Sequence, residues 1–320
     1  MKKMIYTFPI LAGACWGSAG VFVRALQSAG LSNWTIIFGR MVMTVILLGI
    51  WMLIRDRSLF RINVRDIPLM AATGMIGYSL MNVFYNYAIE ELSLSLTAVL
   101  LCTAPVFVLL FGRVVWKEKL TPLKITCLFS VLLGCVLLSG IFDSEAVRWS
   151  TFGLALGVCC SLSNAVCTLG SNEETGVRGI NPLTAMFYNS LFSIIPVIFF
   201  TDFGQLADFF REDPAYALGA FFLNSFMTSL LPNIFFTISF IYMESGIVSI
   251  LASGAEPTAA LIFGILIFDE IPTTMGFIGM VIVIGSILIL TGSGKKEPDR
   301  SSEDALTDDT GPGEDPANVT

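Results

Sequence analysis

One acid sits where an acid is costly. Glu256 lies about ten residues into a long apolar run, which puts it ~15 Å deep in a helix that rises ~1.5 Å per residue. An ionisable group at that depth in a bilayer costs ~2.5–3.5 kcal/mol or more, and ordinarily faces a cavity or a partner. Two chemistries suit it: contact with a substrate amine, or uptake and release of a coupling proton. A structural account also stands, a neutral hydrogen-bonded acid packed beside the break at Pro257. Arg40, about seven residues inside another apolar run, can pair with a carboxylate such as Glu256, receive an anionic substrate group, or snorkel to the interface.

Two polar stripes accompany these charges. Tyr78, Asn82, Tyr85 and Asn86 are spaced by four, three and one, and Ser225, Thr228, Ser229, Asn233 and Thr237 follow at similar intervals. Each set shares one helical face, and a polar face turned to lipid is penalised, so both belong inside a bundle. They either line a cavity or join helices by hydrogen bonds. Trp16 and Asn164 can complete a lining by stacking and by amide hydrogen bonds. Pro105 and Pro257 each remove a helical donor, kink their helices and leave the carbonyls of Leu101 and Ser253 in need of partners.

Other chemistries are absent. The 320 residues include no histidine, which excludes His-based triads, His metal sites and imidazole relays. The seven cysteines, Cys15, Cys102, Cys127, Cys135, Cys159, Cys160 and Cys167, lie in apolar stretches without disulfide or zinc spacing, and read as small buried hydrophobes. There is no GxxxxGK[ST] loop and no convergent nucleophile and base. The expectation is a protein that is no enzyme and needs no cofactor or metal.

The elements that must position these residues are membrane helices. Hydrophobic residues make up 55% of the chain and charged ones 13%, about half the usual ~25% of a soluble domain. A spanning helix needs ~20 apolar residues. Ten segments qualify, near 5–26, 34–54, 67–89, 94–115, 123–142, 151–171, 183–201, 215–241, 246–268 and 274–292. The expected fold class is therefore an all-α integral membrane protein. Met-Lys-Lys before an apolar run imitates a secretory signal with Ala12-Gly13-Ala14 as cleavage site, but an uncleaved first helix is the simpler account.

Orientation follows from the basic residues. With the N-terminus cytoplasmic, 14 of the 18 Lys and Arg fall inside, while Arg24, Arg148 and Arg211 fall outside and Arg40 within a span. That split favours both termini inside the plasma (inner) membrane, and so an even number of spans. Residues 293–320 hold eight acids and three bases among Ser, Pro and Gly, which predicts a disordered acidic cytoplasmic tail. No basic stripe suggests a nucleic-acid partner.

The chain also repeats itself. Residues 105–140 align with 257–292 without a gap: Pro105 with Pro257, Phe111-Gly112 with Phe263-Gly264, Glu118 with Glu270, Thr121 with Thr273 and Gly140 with Gly292. Leu80-Met-Asn82-Val-Phe84 likewise resembles Leu231-Pro-Asn233-Ile-Phe235. Each copy holds five spans, an odd number, so the second enters the membrane inverted, as in carriers with a central site. The organisation predicted is 1–142 and 150–292 as two inverted five-helix repeats, followed by the tail.

These residues resemble a known family. Trp16-Gly17-Ser18, Arg40, and Ala104-Pro105…Trp116-Lys117-Glu118-Lys119-Leu120-Thr121 with its echo Glu256-Pro257…Phe268-Asp269-Glu270-Ile271-Pro272-Thr273 are similar to the EamA branch of the drug/metabolite transporter superfamily. The resemblance covers residues 5–292. It implies a ten-helix carrier that exports small metabolites, often amino acids, by alternating access, with protons as a possible coupling ion. A multidrug efflux carrier is the alternative, and a receptor or scaffold a more distant one. Gly13-x-x-x-Gly17 and Gly153-x-x-x-Gly157 read as helix packing, and Glu118 and Glu270 as caps on neighbouring helix N-termini.

Overall fold

The computed structural model describes residues 5–92, 94–139, 141, 150–268 and 273–293. The calls on Glu270 and on the acidic tail lie outside the described residues. Those described are helical or in short connections. In chain order the helices are α1 (Thr7–Ser28), α2 (Asn33–Arg55), α3 (Val64–Glu91), α4 (Leu96–Val115), α5 (Pro122–Leu138), α6 (Thr151–Val177), α7 (Pro182–Phe200), α8 (Phe203–Glu212), α9 (Pro214–Tyr242), α10 (Ser245–Phe268) and α11 (Thr274–Ser293). Among the described residues, nine of these are long and apolar enough to cross a membrane, and α5 is a shorter apolar helix.

Local chemistry sets the starts. Side chains of Ser32, Thr121, Ser150, Asn181, Asp202 and Asp213 accept from backbone N–H groups in the first turns of α2, α5, α6, α7, α8 and α9. Pro122, Pro182 and Pro214 occupy first-turn positions, where no donor is lost. The chain outside the helices is thus short, as the hydropathy pattern implies. Two elements differ from expectation. The sixth helix runs to Val177, six residues past the predicted end, because its last turn widens into a π-helical segment, Asn172–Val177, that carries Glu173 and Glu174. The break between the expected spans 183–201 and 215–241 holds a further helix, α8, whose Phe209 packs with Leu26, Leu31, Ile36 and Phe221.

Small residues bring the helices together. A methyl group on Gly17 would meet Ala259 Cβ and Ala260 N at 2.8 Å, and one on Gly13 would meet Ala255 Cβ at 2.8 Å, so α1 and α10 touch backbone to backbone. Gly153 and Gly157 of α6 lie against Leu92 and Leu100, the latter on α4. Both Gly-x-x-x-Gly pairs therefore act in packing. Gly134 and Gly279 seat α5 on α11 in the same way. Outside, Ile54, Val114, Phe199 and Leu266 are more than two-thirds exposed, an apolar coat suited to lipid and not to water.

Two of the longest helices contain matching irregularities. α3 widens to a π-helix over Thr73–Leu80 and α9 over Phe226–Leu230, the first ending at Leu80 and the second one residue before Leu231, the match of Leu80. Such segments are frequent at functional sites.

Candidate functional site

Three levels of polar side chains run through the bundle. At mid-height, Glu256 stands halfway along α10, with Tyr85 of α3, Cys102 at the α4 break and Cys160 of α6 around it. It is enclosed by protein, yet keeps accessible surface. No donor and no cation reaches its carboxylate among the described residues, so the hydrogen-bonded acid of the structural account is not formed. Trp16, on α1 at the same height, packs edge-on against Phe236 of α9 at 5.0 Å between ring centroids. Asn164 lies on α6 and its carbonyl accepts from Thr168 Oγ1 at 3.1 Å.

The α3 stripe is tied to its own helix. Asn82 Nδ2 donates to the Tyr78 carbonyl (2.7 Å) and Asn86 Nδ2 to that of Asn82 (2.9 Å), and neither amide oxygen meets a donor among the described residues. Asn233 does the same on α9, donating to the Ser229 carbonyl at 2.8 Å. Its Oδ1 accepts the Tyr78 hydroxyl at 3.1 Å, a direct bond between the two repeat-related helices. Tyr78 and Asn233 are brought together, while Arg40 stays apart. It is half-buried on α2 and meets no carboxylate within 4 Å among the described residues, so the pair with Glu256 is not made. Its carbonyl accepts Ser225 Oγ at 3.0 Å and joins α2 to α9.

The prolines act differently. α10 is continuous through Pro257, and the Ser253 carbonyl takes only Cys135 Sγ at 3.9 Å. At Pro105 the helix divides into Leu94–Leu101 and Ala104–Val115, with the proline in the first turn of the second piece. The carbonyl that gathers donors there is Leu100's, one residue before the Leu101 expected. It accepts Thr103 N (3.0 Å), Thr103 Oγ1 (2.6 Å) and Ser161 Oγ.

Toward the face where α1 begins, a network forms that the sequence pattern hid. Glu174 is fully buried and accepts Asn189 Nδ2 of α7 at 2.7 Å. Its signal was a spacing of four and three, Cys167, Ser171, Glu174, on one face of α6, masked by the adjacent Glu173. Glu173 takes the outer position, accepting Trp116 Nε1 (3.0 Å) and Arg178 Nε (3.0 Å). Arg178 also bonds Asp66 at 2.7 Å, and these two carboxylates hold its guanidinium above the usual range. A cleft of about 310 Å³ opens here, lined among others by Ser58, Asp66, Met70, Arg178 and Thr184.

Lys124 was also hidden by its loop-like sequence, whereas Glu118 was expected as a helix cap. Glu118 is buried and accepts Ser245 N (3.0 Å), Ser245 Oγ (2.7 Å) and Gly246 N (3.4 Å), which caps α10 as the helix-cap expectation holds. Lys117 beside it takes φ 56°, the left-handed turn that swings Glu118 inward. Lys124, buried in the first turn of α5, pairs with Glu244.

With this geometry in place, the likenesses to known proteins can be read. The model of the EamA-like transporter family matches the chain twice, over residues 3–140 and 150–292. The uncharacterized transporter YxxF of Bacillus subtilis is 23% identical over 88% of this chain and 87% of its own length. The uncharacterized transporter YdfC of the same organism is 22% identical, over 70% of this chain and 71% of its own. An uncharacterized transporter of Archaeoglobus fulgidus is 26% identical over 43% and 47%. A crystal structure described only as that of a protein superposes with a TM-score of 0.68 at 15% identity, over 89% of this chain and 96% of that one, which shows a shared fold.

Proposed function

Because the chain belongs to the EamA-like transporter family, we propose that it is a secondary carrier exporting a small polar or amphipathic metabolite, such as an amino acid, by alternating access through a central cavity. The observation that carries this reading is Glu256: an acid at mid-height between the two halves, accessible, with no hydrogen-bond or ion-pair partner among the described residues. A carboxylate left open in that position suits a substrate ammonium or a coupling proton. Trp16, Tyr78, Tyr85, Asn82, Asn86, Asn164 and Asn233 supply aromatic faces and amide oxygens around the same axis, and Arg40 a cation nearer the far face.

The architecture proposed is ten membrane-spanning helices, with α5 as the fifth, in two inverted repeats. Three observations support it. The family matches in two separate segments. The π-helical segments of α3 and α9 end within one residue of repeat-equivalent positions. And the first helix of each half meets the fourth of the other at glycine, Gly13 and Gly17 on α10 and Gly157 on α4. The excess of Lys and Arg on the face where α1 begins supports both termini in the cytoplasm.

The test is uptake and counterflow in liposomes that hold the purified protein, with a panel of radiolabelled amino acids and a proton gradient imposed or absent. Saturable movement of one amino acid is the expected result. A flat panel from folded protein, repeated for other metabolite classes, would leave a scaffold. The aromatic packing of Trp16, Phe236 and Phe240 favours one second reading, efflux of apolar cations, which ethidium efflux from the same liposomes distinguishes.

A further inference from the structure

We propose that Glu174, with Asn189 and Ser171, is a second proton site of the carrier, one stage nearer the Lys/Arg-rich face than Glu256. The proposal rests on the transport reading above and adds a residue that neither the sequence pattern nor the family resemblance singles out.

The cluster is short of donors. Glu174 is 0% exposed and receives one hydrogen bond, from Asn189 Nδ2 to Oε2. Among the described residues its Oε1 has no hydrogen-bond partner, and neither Asn189 Oδ1 nor Ser171 Oγ has one, although all three atoms are buried. Thr73 stands beside Glu174, but its hydroxyl donates to the Leu69 carbonyl at 3.0 Å. Arg178, four residues on, is committed to Asp66 and Glu173. Glu174 Oε1 and Asn189 Oδ1 are buried acceptors that lack a donor, the Ser171 hydroxyl is a buried donor that lacks an acceptor, and a proton on Oε1 both removes the charge and supplies a donor to the acid's neighbours. The titratable and charged groups that face it are Tyr78 of α3, Cys167 of α6, and Arg178 and Asp66 at the mouth. The α9 surface packed against this turn presents Thr237 and Phe240, which do not titrate.

Two further features make it a way station. On one side, the cleft residues Met70, Arg178 and Thr184 lie about one turn below Thr73, Glu174 and Asn189 on three separate helices, so a single layer separates the acid from the open face. On the other side, Tyr78 stands next to Ser171 and Glu174, and Tyr85 next to Glu256. These tyrosines are seven residues apart on one face of α3, roughly 10 Å at the helical rise. α3 thus places one hydroxyl beside each carboxyl. Glu174 and Tyr78 both sit on π-helical segments, where the backbone ladder is already rearranged.

The experiment needs no known substrate. Full-length protein in phosphatidylcholine vesicles is titrated with acid and base while infrared difference spectra follow the carboxylic C=O stretch, with the helical amide I band as the check on folding. The parent is expected to show a protonated-carboxyl band that is lost in Glu174→Gln and kept in Glu256→Gln. Asn189→Ala, which removes the one donor and leaves the acid, should shift that band to higher frequency without abolishing it. A parent spectrum unchanged by Glu174→Gln overturns the proposal, as does a band that Asn189→Ala leaves in place. So does a response of the carboxylate bands to sodium in place of the proton. Loss of liposome transport in every protein, with the Glu174 band intact, would fail the carrier reading and not this one.

Discussion

Replacing Glu256 by Gln keeps the shape of the side chain while it removes the charge and the exchangeable proton. If this acid meets a substrate ammonium, the variant forfeits a charge-assisted contact of ~1.5–3 kcal/mol, or about 10- to 100-fold in transport efficiency at ~1.4 kcal/mol per decade. If it couples protons, the variant transports with a flat pH profile. Liposome rates over a pH series separate the two, and a variant whose rate and profile both match the parent removes Glu256 from the site. Glu118 gives a residue-scale prediction of stability instead. Glu118→Ala strips three bonds from the start of α10 and leaves Ser245 N and Gly246 N buried without an acceptor. A loss of about 2–3 kcal/mol is expected from a buried charged cap, read as a drop in thermal midpoint in detergent, with Glu118→Gln losing less. At this scale the sequence is a partial guide. Glu256 is legible because it is alone in an apolar run. Glu174 is not, because Glu173 beside it makes the pair look like a loop, and only the extra turn of α6 sends one inward and the other out.

At the scale of elements, the contact between α1 and α10 depends on the absence of side chains. Gly17→Ala places a methyl 2.8 Å from both Ala259 Cβ and Ala260 N, and the second is backbone, which cannot rotate away. Separating the helices should cost about 1–3 kcal/mol, as for an overpacked core. Gly20→Ala, one turn on in the same helix, meets nothing within 4 Å and should be neutral or slightly stabilising. Thermal unfolding of the two variants side by side checks the contrast, and equal midpoints would show that α1 and α10 do not meet this closely. The spans themselves are easily read from hydropathy, because lipid demands long apolar helices. Their interior breaks are harder to read. Pro105 announces the division of α4 but not that Leu100 would gather the donors, and nothing in the composition of Thr73–Leu80 announces a π-helix. These features arise from packing between helices, in particular Gly77 against Cys167 and Gly74 against Asn189, and only the assembled bundle contains them.

The whole molecule is bound to a membrane whose two sides it must tell apart, and the basic residues state which is which. The short connection after α2 carries Arg57 and Arg61 with Asp56 between helix ends, and the connection around α8 carries exposed Asp208 and Arg211. If the Lys/Arg-rich face is cytoplasmic, these segments lie on opposite sides. The native cysteines are buried or half-buried, so the parent should label weakly with a membrane-impermeant maleimide. Asp208→Cys should then label in intact cells, whereas Arg57→Cys should label only after permeabilisation. The reverse pattern would invert the molecule and turn the proton site at Glu174 toward the outside, where it would meet protons after Arg40 has met the cytoplasm. Labelling of both from one side would give α3 to α7 an even number of crossings in place of five, which the repeat cannot accommodate. The orientation therefore decides which of the two acids lies nearer the cytoplasm. In the proposed sense the Arg178–Asp66 mouth and Glu174 lie on the cytoplasmic side of Glu256. An exporter arranged so can exchange the inner proton for its cargo before it commits to the outward-facing state.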